Sequence, residues 1–331
     1  CATDVAVNAY LPGPLGRMAK RRKQLQLYHV DEKLQEMCVG MHRIGIRIDE
    51  SIRKRHEDVV SAEMVDSLSY LRENTHNKFN PNSVAQVKSL LFEDWRLTPY
   101  HFTSMGEPST DAATLRMLIG NPALDESQKE FIDQLRRYRK SSKLLGTYLE
   151  KFAPDRGVVK NGRVHADYNV HGTVTGRLSS SNPNFQNIPY SLRDMFVPDD
   201  GMVFVGADFD QLELRFAAAL AGARTYLEAF TTGTIDPHNL TGQMMFGDSF
   251  WDAEGAPDSP LKKGKGQFKR LRDLAKTICF SSLYGANPKK VHEILMRAED
   301  GDGNLLYVDY TLQEVRLLHR KWTRSSPEFK A

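Results

Sequence analysis

Apolar positions recur at helical spacing over three long stretches of this chain, 30–42, 50–74 and 126–152, and each is predicted as an amphipathic helix. Between Gly157 and about Val205 the period shortens. Arg163-Val164-His165-Ala166-Asp167-Tyr168 reads as a strand, and a Ser/Thr/Asn-rich connection comes after it. Met202-Val203-Phe204-Val205, short, apolar and partly β-branched, predicts a buried strand. Were that strand to continue, its two-residue period would put Gly206 and Asp208 on one face. Helical spacing returns with Leu212, Phe216, Ala219 and Leu220 and persists towards the C-terminal end, broken by a Gly/Pro/Lys loop at 253–266. The predicted order is a basic, Pro/Gly-punctuated lead-in over 1–29, a helical lobe, a sheet and a second helical lobe.

Composition narrows the class. The 331 residues, 40% of them hydrophobic, suffice for a sizeable core in two or three lobes. Three scattered cysteines, Cys1, Cys38 and Cys279, offer neither a disulfide framework nor a CxxC zinc site. No apolar run approaches the length of a membrane span, and CATDVAVNAYLPGPLG lacks the hydrophobic region of a signal peptide, so a soluble cytoplasmic protein is expected. The net charge of +3 is small, but the cations cluster at 20–23, 136–143 and 262–272. Clusters of this kind suit local phosphate contacts, or are simply solvated faces.

Two stretches carry candidate chemistry. In DFDQLELR (208–215), Asp208 stands where the apolar run gives way to a helix, five residues before Glu213. A hard cation such as Mg²⁺ takes few protein oxygens and completes its octahedron with water and substrate phosphates, so one such aspartate would begin a metal site. The alternative is that Asp208 or Asp210 caps the helix. In RDLAKTICFSSLYG (272–285), Arg272, Lys276, Phe280 and Tyr284 recur every four residues and form one stripe, while Leu271, Leu274, Ala275 and Ile278 make a separate apolar face. Two cations followed by two aromatics in line would hold a triphosphate at one end and stack a base at the other. An amphipathic helix with a basic edge gives the same pattern. A third stretch, TGRLSSSNPNFQNIP (175–189), is a polar loop rich in short donors and acceptors, with Arg177 its strongest phosphate candidate.

In their order along the chain, the three stretches closely resemble the family A DNA polymerases, the DNA polymerase I type. The resemblance extends through GIRID (45–49), FNPNSVAQVKSLLF (79–92), PSTDAATL (108–115), YRKSSKLLGTY (138–148) and GRVHADY (162–168), and covers roughly residues 30–331. It implies an α+β fold of the right-hand polymerase kind: a helical thumb over 30–155, part of the palm β-sheet over 156–223 and part of the helical fingers over 224–331. It implies template-directed DNA synthesis, the transfer of dNTPs to a primer 3′ end with two Mg²⁺ ions. Asp208 matches the aspartate that binds both ions, with the carbonyl of Phe209 as a further ligand. Glu213 matches the steric gate against a ribose hydroxyl, and Gln211 lies beside it on the nucleotide. Arg272 and Lys276 match the phosphate-binding pair, Lys276 also being placed to protonate pyrophosphate. Phe280 would flank the sugar and base, Tyr284 the templating position, and His238 of DPHNLTG (236–242) the phosphates. Arg177, Gln186 and Asn187 match groups along the primer-template minor groove, and Arg139 and Lys143 the thumb's backbone contacts.

A further motif, a His-Asp-Glu on a palm hairpin, is implied by the resemblance but matched nowhere in the 331 residues. His56-Glu57-Asp58 has the wrong order and lies within a predicted amphipathic helix as solvated polar residues. The palm is therefore expected to be incomplete, the second Mg²⁺ depending on a carboxylate from elsewhere. Expected partners are primer-template DNA, dNTPs and a complementary C-terminal polymerase polypeptide carrying that motif, as in a split or fragmentary phage or viral enzyme. From a different class, the same residues also allow a noncatalytic primer-template binding module or polymerase remnant.

Overall fold

The computed structural model describes residues 12–298, 307 and 309–330; of the predicted lead-in, 1–11 lie outside the described residues. In chain order the helices are α1 (Pro12–Arg21), α2 (Leu25–Ile44), α3 (Glu50–Glu73), α4 (Val84–Lys88), α5 (Ala112–Ile119), α6 (Glu126–Leu144), α7 (Leu212–Ala221), α8 (Arg224–Thr232), α9 (Pro237–Phe246), α10 (Gly266–Leu283), α11 (Pro288–Leu295) and α12 (Leu312–Ser325). The strands are short: β1 (Ile46–Ile48), β2 (Val159–Lys160), β3 (Arg163–Val164), β4 (Asp167–Asn169), β5 (Ser179–Ser181) and β6 (Phe196–Val197). The fold is thus mostly helical α+β. The chain divides into two compact units, Cys1–Asn82 with Gln134–Val205, and Ser83–Asp133 with Gly206–Ala331. The 30–155 stretch contributes to both, and 156–223 is divided at Val205 and Gly206.

The first unit is built on an antiparallel sheet ordered β2-β3-β1-β6, with Ile46 opposite Val164 and Arg47 opposite Val197. Gly45 turns the chain from α2 into β1 at φ +65°, and any Cβ there would collide with the His165 ring, whose Nδ1 donates to the His42 carbonyl at 2.7 Å. The strand predicted over 163–168 is split between two sheets. Its Ala166 carbonyl is taken by His42 Nδ1 at 3.0 Å, and β4 pairs instead with β5, Asp167 opposite Ser181. Helix α3 starts at Asp49, whose carboxylate accepts from the amides of Ser51 and Ile52, and it buries Arg53, Val60, Ser67 and Leu71 along one face. Val60 joins Ile48, Leu149, Phe152, Val164 and Met195 in the unit's core. The neighbouring His56, Glu57 and Asp58 are held in ordinary contacts, to Asp194, to Arg53 and Lys54, and to Lys54.

In the second unit, α9, α10 and α12 surround a core that includes Met245, Leu274, Ile278, Val315, Leu318 and Trp322. Trp322 Nε1 donates to the Tyr226 hydroxyl at 2.9 Å, and that hydroxyl pairs with Thr241 at 2.8 Å, so these three buried polar groups satisfy one another. Of the apolar face predicted on 271–278, Leu274, Ala275 and Ile278 are buried and Leu271 is partly so. Burial pushes the free Cys279 thiol up to about 12. The 253–266 loop is anchored rather than loose. Lys265 N–H donates to the Gly255 carbonyl, Phe268 N–H to that of Glu254, and a Cβ on Gly255 would overlap the Lys265 carbonyl.

The buried strand expected at Met202–Val205 is not formed. These four residues carry no ladder hydrogen bonds and are 66, 79, 62 and 88% exposed. A strand needs a neighbour to take up its amides and carbonyls, and no described strand pairs with this run. The two-residue period that was to align Gly206 with Asp208 therefore has no sheet to act on.

Candidate functional site

The second unit gathers most of the predicted nucleotide-binding residues around the start of α9 and one side of α10. Asp236 and Pro237 begin α9 in the usual way: the carboxylate accepts from the amides of His238 and Asn239, and proline occupies the first turn where no amide partner is needed. The Asp236 carboxylate also reaches two other segments. Its Oδ1 accepts from Arg272 Nη2 at 2.9 Å, and its Oδ2 accepts from Gln211 Nε2 at 3.3 Å. Arg272 is buried and also donates from Nε to Asn239 Oδ1 at 3.0 Å. Among the described residues its Nη1 makes only a 3.7 Å ion-pair contact, with Asp273.

His238 is 3% exposed and its Nδ1 has no hydrogen-bond partner among the described residues. Burial, then the Arg272 and Lys276 cations, pull its imidazole down to about 4 against the opposing influence of Asp236 and Asp210. The ring is therefore neutral at pH 7, with a polar atom unspent beside two cations. The Gln211 Oε1 is likewise buried without a partner among the described residues. Two unsatisfied polar atoms beside Arg272 and its partners mark a place that a polar ligand would complete. Phe280 lies 5.6 Å from the His238 ring, and exposed Lys276 stands 6.0 Å above the Phe280 ring. The four-residue stripe is thus graded by depth: Arg272 buried, Lys276 exposed, Phe280 half-buried, and Tyr284, at the helix end, 70% exposed.

Asp208 and Phe209 lie in the same unit on a stretch, 206–210, that is exposed throughout. Helix α7 comes next, without a side-chain cap. Its N-cap residue, Gln211, is in the left-handed region at φ 51°, so neither Asp208 nor Asp210 caps the helix. Asp210 engages Arg215, while Asp208 makes no hydrogen bond or ion pair among the described residues. Glu213 is half-buried in the first turn of α7. No group of three or more His, Cys, Asp or Glu that could hold a metal ion occurs among the described residues. Asp208 and the Phe209 carbonyl, both hard oxygen donors, fit one side of a Mg²⁺ site.

The five residues expected along DNA fall in the first unit. Arg177 is exposed, with its carbonyl held by Thr173 Oγ1 at 2.8 Å. Gln186 donates from Nε2 to the Leu178 carbonyl at 2.8 Å, and the Asn187 carbonyl accepts from the Tyr148 hydroxyl. Arg139 Nε donates to the Pro81 carbonyl at 2.8 Å, which directs that half-buried side chain onto protein backbone, whereas Lys143, one helical turn on, is exposed. Sequence reasoning missed Asp236 and Asn239. The Asp-Pro helix start was legible, but nothing local signals that these side chains hold an arginine more than thirty residues away.

The description of DNA polymerase family A matches residues 51–311. "DNA polymerase I, thermostable" of Thermus thermophilus is 33% identical over 283 residues, 83% of this chain and 31% of that protein. "DNA polymerase I" of Chloroflexus aurantiacus is 32% identical over 265 residues, 78% of this chain and 26% of that one. The chain therefore spans about a third of the length of these relatives. Among solved structures, the POL domain of Pol1 from M. smegmatis in complex with DNA primer-template and dNTP superposes with a TM-score of 0.75 at 22% identity, over 96% of this chain and 51% of that one. No helix among the described residues is long and apolar enough to cross a membrane. With a family match over most of its length and the same fold as a solved polymerase domain, this chain belongs to DNA polymerase family A.

Proposed function

We propose that this chain takes part in template-directed DNA synthesis, adding dNTPs to a primer 3′ end, and that a complementary polypeptide segment completes its palm. The observation that carries the reading is the cluster of Gln211, His238, Arg272, Lys276 and Phe280: cations and neutral donors beside an aromatic ring, with two buried polar atoms unspent. Phosphoryl transfer depends on positioning and charge neutralisation more than on covalent chemistry, and these side chains supply both. Arg272 and exposed Lys276 neutralise the phosphates, Lys276 being able to carry a proton to the departing pyrophosphate. The neutral His238 hydrogen-bonds the phosphates. Phe280 flanks the sugar and base, Tyr284 the template position, and Glu213 closes the space a 2′-hydroxyl would need. Asp208 and the Phe209 carbonyl would hold one side of the Mg²⁺ site, where bound ions supply charge neutralisation at the attacking and leaving oxygens. Arg177, Gln186, Asn187, Arg139 and Lys143 are assigned to primer-template DNA on the family resemblance, with Arg139 needing to leave Pro81 to do so.

Two observations support a completing segment. The apolar run Met202–Val205 is exposed and pairs with no strand among the described residues. Independently, in the other unit, Leu212, Phe216 and Leu220 line one exposed face of α7 at 40, 61 and 88%. The test is primer extension with the purified chain, free of host polymerase, in Mg²⁺ and dNTPs. The chain alone should bind primer-template with strong salt dependence and leave the primer unextended. A polypeptide carrying the His-Asp-Glu hairpin should restore extension. Extension by the chain alone that Asp208→Ala abolishes would show that it needs no completion, and a failure to extend in any combination would favour a noncatalytic DNA-binding module.

A further inference from the structure

We infer that Asn239 is a positioning residue for the nucleotide site, tying the 253–266 loop to the Arg272 guanidinium. The inference rests on the reading of Arg272 as a phosphate-binding residue. Asn239 is fully buried and its side chain is used at both ends. Its Nδ2 donates to the carbonyls of Pro260 at 2.7 Å and Lys262 at 2.9 Å, and its Oδ1 accepts from Arg272 Nε at 3.0 Å. Asp236 backs the same arrangement, its amide donating to the Pro260 carbonyl at 3.1 Å and its carboxylate accepting from Arg272 Nη2.

The amide works in one orientation only. Turned over, its oxygen would face two carbonyl oxygens and its NH₂ group would face a guanidinium, so every contact would become repulsive. The two loop carbonyls therefore decide which way Asn239 points, and Asn239 decides where Arg272 finds its Nε acceptor. Held from the Nε and Nη2 edge, the guanidinium keeps Nη1, which makes no hydrogen bond among the described residues, for a phosphate oxygen. A planar donor fixed in advance loses little rotamer freedom on binding, whereas a loose arginine must be ordered by the ligand. This gives the anchored loop a purpose, since its Pro260–Lys262 backbone is part of the frame that aims a phosphate-binding side chain.

The experiment uses the full 331-residue chain and measures dissociation constants for Mg·dATP and for dAMP by calorimetry. Wild type, Asn239→Ala, Arg272→Ala and the double variant are compared. Asn239→Ala should weaken Mg·dATP about tenfold and dAMP less than about twofold, because dAMP, with a single phosphate, offers the aimed guanidinium far less charge than the triphosphate does. In the Arg272→Ala background the Asn239→Ala change should cost nothing more, since the residue through which it acts is gone. A loss that persists undiminished in that background, or no loss at all, overturns the inference. Asn239→Asp provides a second route should the alanine variant fold poorly. It keeps an acceptor for Arg272 but sets a carboxylate oxygen against the two loop carbonyls, so amide hydrogen exchange in the loop should accelerate and Mg·dATP should bind more weakly, while dAMP changes less than about twofold. Loop exchange like that of wild type, or Mg·dATP affinity unchanged while the loop exchanges faster, also overturns it. A wild-type chain that binds no triphosphate overturns the nucleotide-site reading itself, a result distinct from a wild type that binds while Asn239 proves indifferent.

Discussion

Acid should weaken the second unit through His238. In the folded protein its imidazole is held near 4, by burial first and then by Arg272 and Lys276, against an ordinary 6.5 in the unfolded chain. A base with a depressed folded pKa is protonated first in the unfolded state. The unfolded chain therefore binds more protons between these two values, and the stabilisation present above 6.5 is lost progressively as the pH falls towards 4. The gap corresponds to about 3 kcal/mol, a large share of a domain's net stability. Urea titrations across this range, read by tryptophan fluorescence, suit the test because Trp95, Trp251 and Trp322 all belong to the second unit. His238→Asn keeps a polar side chain that does not titrate, so the carboxylates that also respond to acid cancel when the two proteins are subtracted. Wild type should lose about 3 kcal/mol relative to the variant between neutral pH and 4. Ring-proton NMR should place the His238 midpoint near 4, and Mg·dATP should raise it, since phosphate charge offsets the two cations that hold it down. A pH-independent difference, or a midpoint near 6.5 without ligand, would refute the argument.

Two further outcomes are expected. In the completed polymerase, Glu213→Ala should raise the ratio of ribonucleotide to deoxyribonucleotide incorporation on the order of ten- to a hundredfold; a single-turnover comparison giving an unchanged ratio would locate the gate elsewhere. Tyr226→Phe removes the hydroxyl that accepts from Trp322 Nε1 and pairs with Thr241, leaving a buried indole N–H unpaired, and should cost about 1–3 kcal/mol in urea unfolding. Stability equal to wild type would mean that Trp322 finds another acceptor.

The residues of DFDQLELR and RDLAKTICFSSLYG could be singled out from the chain because their meaning is local. Four-residue spacing sets Arg272, Lys276, Phe280 and Tyr284 on one stripe whatever surrounds the helix. Helices α2, α3 and α6 were equally legible from apolar periodicity. Depth along the stripe was not. Arg272 is buried and Lys276 exposed because Asp236 and Asn239, brought in by α9, receive one and not the other, and a pairing between distant segments leaves no periodic trace. The same limit explains the two failures at strands. Alternation and β-branching describe a segment's fitness for a sheet, but the ladder belongs to its neighbours: His42 divides the 163–168 strand by taking the Ala166 carbonyl, and Met202–Val205 stays unpaired for want of an adjacent strand among the described residues. By itself the sequence determined which residues share one helical face and which segments coil into helices, both being matters of composition and spacing. Tertiary structure alone decided which cation is fixed in advance, why His238 is neutral, and where a strand goes without a partner, since burial and hydrogen bonding depend on what the rest of the chain brings alongside.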